Sequence, residues 1–201
     1  MTTPVGTSQG YTAGPPAVRG AAELCAVAEV SDEAVVVLGD GSIPVRALIT
    51  QLQEKDLFGD AVRVLAHALP KREAVWWAWV CARKASGATP KPPIKAALEA
   101  TERWIVQPTE DHRRDAMTFG EAADFGTPAG CAALAAFMTG GSLSPPHAPV
   151  VPPGEFMTAK AVAGSVTMAA VIEKPEEAPQ KFKEYIALGL EVADRIKLWP
   201  S

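Results

Sequence analysis

The stretch REAVWWAWVCAR, residues 72–83, holds three of the five tryptophans of the chain within four positions. On an α-helix, where successive residues are rotated by about 100°, Trp76, Trp77 and Trp79 point in three different directions. Valine, alanine and cysteine occupy most of the remaining circumference, and a helix that is apolar on every side is usually buried. We therefore expect a central helix whose tryptophans contact several neighbouring helices and whose indole N–H groups find buried acceptors.

One sector of the same helix is a candidate binding site. Arg72, Trp76, Trp79 and Arg83 fall within about 80° of one another on the helical wheel. Tryptophan and arginine are among the side chains that most often anchor protein interfaces. If this sector reaches the surface, we expect it to bind a small ligand or a protein partner.

Helical periodicity dominates the rest of the chain, and strand-like alternation is nearly absent. Proline and glycine divide the sequence into about eight or nine helical segments joined mostly by short loops. Residues 1–19 are rich in Gly, Pro, Ser and Thr and are predicted to form a disordered tail. Residues 20–201 are predicted to form a single all-α domain, a compact multi-helix bundle.

The segment SLSPPHAPVVPP, residues 142–153, contains five prolines, which favour the polyproline II conformation. The plainer interpretation is a stiff strap that packs across the bundle and joins two helices whose ends lie far apart. Alternatively, its two PxxP patterns, formed by Pro146, Pro149 and Pro152, bind a protein partner. The alanine-rich helices on either side are predicted to pack closely, with Gly130 and Gly164 at their contact.

Composition and charge argue against several classes of protein. The formal net charge of −4 disfavours a nucleic-acid binder held by a general basic field. Three cysteines, an odd number in apolar surroundings, argue against a disulfide framework and favour a reducing, cytoplasmic location. The longest strongly apolar run is about 12 residues, whereas a spanning helix needs about 20, so no membrane insertion is expected.

The sequence shows no constellation of catalytic residues. No cysteine has a second cysteine or a histidine at the spacing of zinc ligands, so neither a metal nor another cofactor is expected. Cys81 lies in an alanine-lined position and is predicted to be an inert buried thiol, and His67 is predicted to be a helix side chain with a polar tip. There is neither a G-x-S-x-G nor a Walker A motif. The sequence therefore favours, without settling, a protein that is not an enzyme.

Three stretches carry a family resemblance. They are LPKREAVWWAWVCAR at 69–83, FGTPAGCAALAAFMTGGSLSPP at 125–146 and TAKAVAGSVTMAAV at 158–171. Together they resemble an uncharacterised bacterial family, a domain of unknown function of about 200 residues. The resemblance runs from about Ala21 to the C-terminus and supplies no established catalytic residues. It implies an accessory or adaptor protein encoded near genes of a contractile, type VI-like secretion system.

These observations lead to one main expectation of function and two alternatives. The main expectation is a protein-interaction protein, an adaptor or chaperone near a secretion apparatus. The first alternative is a small-molecule-binding protein or small enzyme whose pocket is lined by the tryptophans and arginines of the central helix. The second alternative is an immunity-type inhibitor, for which an acidic helical protein is suitable.

Overall fold

The computed structural model of the protein describes residues 19–199 and places them in a helical bundle. This range contains ten α-helices, one short 3-10 helix and no β-strand, so the all-α prediction is confirmed. Residues 1–18, which make up nearly all of the predicted tail, lie outside the described range. The helices are α1 (Ala21–Ala28), α2 (Asp32–Leu38), α3 (Val45–Glu54), α4 (Phe58–Ala68), α5 (Lys71–Ala85), α6 (Pro92–Val106), α7 (Glu110–Ala122), α8 (Pro128–Phe137), α9 (Met157–Val171) and α10 (Ala178–Arg195), with the 3-10 helix at Pro175–Glu177.

Helix α2 contains three consecutive valines, a composition more typical of strands. Ser31 begins it, because the Ser31 side-chain oxygen accepts a hydrogen bond from the Ala34 N–H at 3.2 Å. Asp32 and Glu33 follow in the first turn, where negative charge is favoured by the helix dipole. The valine-rich remainder, strand-like in composition, is therefore helical. None of the helices at 19–199 combines the length and apolar character that crossing a membrane requires.

Helix α5 occupies the centre of the bundle, as expected from its all-round apolar surface. It contacts α6, α8, α9 and α10. The Trp77 side chain is fully buried, and its indole N–H donates to the Tyr185 carbonyl oxygen at 2.7 Å. The Trp79 indole N–H donates to the Leu98 carbonyl oxygen at 2.9 Å. Two of the tryptophans thus hydrogen-bond the backbones of two different helices, α10 and α6.

Gly189 allows α10 to approach the Trp77 indole closely. A Cβ atom at this position would lie 2.7 Å from Trp77 Cε2 and 2.7 Å from Leu65 Cδ2. Real Cβ atoms essentially never come so near to other heavy atoms. The missing side chain of one residue therefore makes room for a fully buried tryptophan.

Helices α8 and α9 pack closely, as predicted from their small residues. The Ser165 hydroxyl of α9 donates to the Pro128 carbonyl oxygen of α8 at 2.8 Å, and the Cys131 thiol donates to the Ala161 carbonyl oxygen at 3.2 Å. Gly164 lies in this contact, since a Cβ atom there would be 3.3 Å from Cys131 Sγ. Small side chains bring the two backbones within reach of each other's polar groups.

The expectation that Gly130 also lies between α8 and α9 is wrong. A Cβ atom on Gly130 would lie 2.1 Å from the Asp124 carbonyl oxygen and 3.0 Å from the Gly120 carbonyl oxygen. Gly130 therefore packs against the end of α7 and the turn that follows it. The turn folds back over the start of α8 because Thr127 N–H donates to the same Asp124 oxygen at 3.0 Å.

The proline-rich segment does not join distant helix ends, and this expectation is wrong as well. The Thr158 hydroxyl at the start of α9 donates to the Met138 carbonyl oxygen at the end of α8, at 2.8 Å. The connection instead forms a closed loop, because Leu143 N–H donates to the Val151 carbonyl oxygen at 2.8 Å. Direct packing of α8 on α9 leaves no distance for a strap to span.

The loop also departs from continuous polyproline II. Ala148 N–H donates to the Pro145 carbonyl oxygen at 3.2 Å, and His147 has a φ of 74°, which belongs to a turn. Pro146, Pro149 and Pro152 are all exposed. Their predicted role in binding a partner stays a prediction, but the pattern from Pro146 to Pro149 lies in a turn and not in an extended helix.

Replacement of Gly130 by alanine is expected to destabilise the protein by about 2 kcal/mol or more, because the new Cβ meets a backbone oxygen that cannot rotate away. Gly164→Ala is expected to change the stability by less than about 1 kcal/mol, since alanine favours helices and the Cys131 side chain can shift. Gly59→Ala, exposed in α4 with no atom near its Cβ position, is the control and should stabilise slightly. Urea unfolding measures all three. Equal stabilities of the Gly130 and Gly59 variants would contradict the proposed contact.

Candidate functional site

The structure divides the predicted binding sector of α5 into two parts. Trp79 is only 8% exposed, and its indole lies in the core against α6. Arg83 is exposed and covers Trp79, with its guanidinium carbon 5.3 Å from the ring centroid. Arg72 and Trp76, both half-buried, lie together in a surface groove. The four residues therefore do not form one site, and only Arg72 and Trp76 are available to a partner in the same place.

We name this surface the α5–α6–α10 groove. It has a volume of about 230 Å³. The side chain of Trp76 is joined there by apolar residues of α6 and of the end of α10, and among them Ile196 is 38% exposed. The groove is lined by Arg72, Glu73, Trp76, Ile105, Val192, Arg195 and Ile196.

Two arginines border the groove, and each is held by the protein itself. Arg72 Nε donates to the Ile105 carbonyl oxygen at 2.7 Å, at the C-terminus of α6, where the helix dipole favours a cation. Arg195 places its guanidinium carbon 5.8 Å from the Trp76 ring centroid, within the range of a cation–π contact. Neither arginine forms an ion pair with a carboxylate of residues 19–199. Both positive charges are therefore available to an acidic partner.

Sequence reasoning identified the α5 side of the groove and missed the rest. Ile105 comes from α6, and Val192 and Arg195 come from α10. Nothing in local periodicity indicates that these residues meet Trp76, because their contact depends on how three helices pack. The all-round apolar character of α5 predicted that other helices cover it but not which ones.

The cysteines are buried thiols of low reactivity. Burial raises the pKa of the fully buried Cys81 thiol far above its ordinary value and that of Cys131 to about 11. Because the thiolate is the nucleophilic form, neither side chain is suited to covalent catalysis. The described part of the chain also contains no group of three or more His, Cys, Asp or Glu side chains placed to hold a metal ion.

A second polar feature lies away from the groove, at His67 in α4. The ring is 6% exposed, and its Nδ1 is 2.8 Å from the Arg63 carbonyl oxygen. A carbonyl oxygen only accepts hydrogen bonds, so Nδ1 carries the proton and Nε2 carries a lone pair. Nε2 is buried and has no hydrogen-bond partner within residues 19–199. Burial is the main cause that lowers the pKa of this imidazole, and nearby Lys160 and Arg19 lower it further.

Replacement of Trp79 by alanine is expected to destabilise the protein by about 3–5 kcal/mol, because a buried indole and its hydrogen bond to Leu98 are lost. Trp76→Ala is expected to cost less, about 1–2 kcal/mol, since only part of this side chain is buried. Chemical denaturation of the two variants measures the difference. A larger loss for Trp76→Ala would mean that Trp76, not Trp79, is the core residue.

The stability of the protein is expected to fall as the pH drops below about 6.5, where the unfolded chain protonates its histidines. The folded state resists protonation of His67 because the pKa of the buried ring is lowered. The unfolded state then binds more protons than the folded state, which favours unfolding. The charged groups that act on the pKa of this ring are Lys160 and Arg19, which lower it, and Glu29, which raises it.

Denaturant unfolding at about pH 7.5 and about pH 5.5 measures this dependence. His67→Phe should show a smaller loss of stability on acidification than the native chain. The matched control is His112→Phe, because His112 also places Nδ1 2.8 Å from a backbone carbonyl oxygen but is not fully buried. An unchanged pH dependence in His67→Phe would rule out His67 as its source.

Comparison with protein families identifies a family that matches most of the chain. Residues 48–193 match a family described as a family of unknown function (DUF6931). The matched range begins within α3 and ends near the end of α10. It includes Trp76 and His67 but not Arg195. No curated protein and no solved structure matches the chain.

Proposed function

The chain belongs to this family of unknown function, and we propose that it is a non-enzymatic adaptor that binds a protein partner through the α5–α6–α10 groove. The observation that carries the proposal is the half-exposed Trp76 beside two arginines without carboxylate partners in the described part of the chain. Tryptophan and arginine in such a setting are typical anchors of protein interfaces.

The size of the groove favours a protein partner over a small-molecule substrate. Pockets for drug-sized ligands usually enclose roughly 300–1,000 Å³. This groove is open and has a volume of only about 230 Å³. That volume accepts one or two apolar side chains of a partner. The exposed side chain of Ile196 adds apolar surface at the edge of the groove, as a protein contact requires.

The charges of the groove favour an acidic partner segment. Its border carries Arg72 and Arg195 against a single carboxylate, Glu73, whereas the whole chain has a net charge of −4. A local positive border on an acidic protein steers negatively charged partners to this place. The proposed occupant is therefore a protein segment that presents an apolar side chain flanked by Asp or Glu.

The family resemblance gives this proposal a biological setting. An adaptor or chaperone near a type VI-like secretion apparatus works through protein contacts and needs no catalytic residues. The inhibitor alternative uses the same kind of contact, and the identity of the partner separates the two roles. A component or cargo of a secretion apparatus favours the adaptor, whereas a toxin favours the inhibitor.

Affinity capture with the full chain, repeated with groove variants, tests the proposal. Trp76→Ala and Arg195→Glu are each expected to weaken binding of the specific partner by about tenfold or more, as for central interface anchors. The matched controls are Val36→Ala, at an exposed apolar position of α2, and Lys95→Glu, at an exposed position of α6. Both control variants should bind the partner as the native chain does.

A charge-reversal experiment makes the test specific for the groove. If an Asp or Glu of the partner lies against Arg195, replacing that acidic residue of the partner by Lys should restore binding to the Arg195→Glu variant. Binding that is unchanged in both groove variants would overturn the proposal. So would the absence of any partner together with a small molecule that co-purifies with the native chain and is lost in Trp76→Ala.

A further inference from the structure

The surface of α2 that faces away from the core is apolar and uncovered. Val36 is 80% exposed, the highest value among the large apolar side chains at 19–199, and Val35 is 50% exposed. Ala34 lies almost opposite to Val36 on the helix and is fully buried, so it attaches the other side of α2 to the bundle. The two valines are therefore available to another molecule.

Two acidic side chains lie on the same side of α2 as Val36. Asp32 and Glu33 precede it by four and three residues, a spacing that places side chains on one face of a helix. Both are exposed, and neither forms an ion pair within residues 19–199. Helix α2 thus presents apolar side chains beside two negative charges that the described part of the chain leaves without a cationic partner.

The α5–α6–α10 groove has the complementary chemistry. Trp76 contributes apolar surface, and the border carries Arg72 and Arg195 against the single carboxylate of Glu73. No residue of α2 lines this groove, so the chain does not use α2 to fill its own groove. When α2 of another copy enters, apolar surfaces meet in the groove and opposite charges meet at its border.

Two other adjacent pairs of exposed apolar side chains at 19–199 lack these unpaired acidic neighbours. Val150 and Val151 are bordered by prolines on both sides. Val171 and Ile172 are followed by Glu173, which already pairs with a lysine of α10 at 3.6 Å. Among the exposed apolar pairs of the described chain, the pair on α2 is therefore the one that matches the groove in both polarity and charge.

We propose that α2 of one copy of the chain occupies the α5–α6–α10 groove of a second copy. Val36 then lies against Trp76. Asp32 and Glu33 lie beside the arginines at the border. The inference rests on the groove of the proposed function and names an occupant for it. Each copy carries both halves of the contact, one α2 to insert and one groove to fill, as in other contacts between different surfaces of identical chains.

The contact between copies is expected to be weak and reversible. Stable complexes bury roughly 1,200–2,000 Å² of surface, and a helix of 7 residues against a groove of about 230 Å³ is a smaller contact. Self-association is therefore expected at chain concentrations of about 0.1–1 mM. An acidic partner that binds the same groove more tightly should displace α2 from it.

Sedimentation equilibrium of the full native chain between about 10 µM and about 1 mM tests this contact, because the mean mass should rise with concentration. Val36→Lys and Arg195→Glu should each weaken self-association about tenfold or more, since each places like charges against one another across the contact. The matched controls are Val150→Lys, at an exposed apolar position of the proline-rich loop, and Lys95→Glu in α6. Both controls should associate as the native chain does.

Two results of this experiment contradict the contact. A native chain that stays monomeric over the whole range would overturn the proposal. So would a Val36→Lys or Arg195→Glu variant that associates as strongly as the native chain.

A mixture of the two variants tests whether α2 and the groove contact each other. Val36 lies outside the groove, so Val36→Lys keeps a native groove, and Arg195→Glu keeps a native α2. Each variant therefore lacks a different half of the contact. Neither should self-associate, whereas an equimolar mixture should form pairs with about the affinity of one native contact. Failure of the mixture to associate would show that the two surfaces do not meet, and the proposal would be overturned.

A measurement on the native chain guards against variants that fold poorly. In ¹⁵N NMR, the indole resonance of Trp76 should shift as the concentration rises from about 0.05 to about 1 mM. The indole resonances of Trp77 and Trp79 should stay in place, because both groups are buried and hydrogen-bonded to backbone carbonyl oxygens. Self-association without a shift at Trp76 would show that the copies meet elsewhere, and the proposal would be overturned.

These measurements also separate the contact between copies from the adaptor function. If a different protein is captured through Trp76 while the native chain stays monomeric, the adaptor function stands and the contact between copies is overturned. If self-association requires both Val36 and Arg195 while no other protein binds the groove, the contact between copies stands and the adaptor function is overturned.

Discussion

The structure depends on the need to cover α5 on all sides. A helix that is apolar around its whole circumference is stable only when other helices surround it. The bundle meets this need with α6, α8, α9 and α10. The hydrogen bond from Trp77 to the Tyr185 carbonyl oxygen joins residues 108 positions apart and ties α10 to this centre. Gly189 makes this closure possible, because any side chain there would meet the Trp77 indole.

The candidate groove lies where the cover over α5 is incomplete. Trp76 stays half-exposed because residues of α6 and α10 surround it and leave a groove between them. The groove is apolar and open and has a positive border, which is typical of a protein contact.

The small residues of α8 and α9 show which features of helix packing a local sequence pattern predicts and which it does not. Alanine, glycine and serine in α8 and α9 correctly predicted close packing of these two helices, and Gly164 lies in that contact. Gly130, in the same run of small residues, contacts the turn after α7 instead. Composition indicates that a helix can be approached closely, but not from which side. The same limit explains the proline-rich segment, whose stiffness was evident and whose closed path was not.

The sequence by itself determined the all-helical class, the approximate helix boundaries and the central position of α5, because each depends on periodicity and capping within a few residues. It also placed Arg72 and Trp76 on one face of a helix. Only the tertiary structure decided that Trp79 is core, that Arg195 reaches Trp76, and that His67 has no partner for Nε2. The physical reason is that exposure and hydrogen-bond satisfaction are set by neighbours distant in sequence, which the pattern of one segment does not specify.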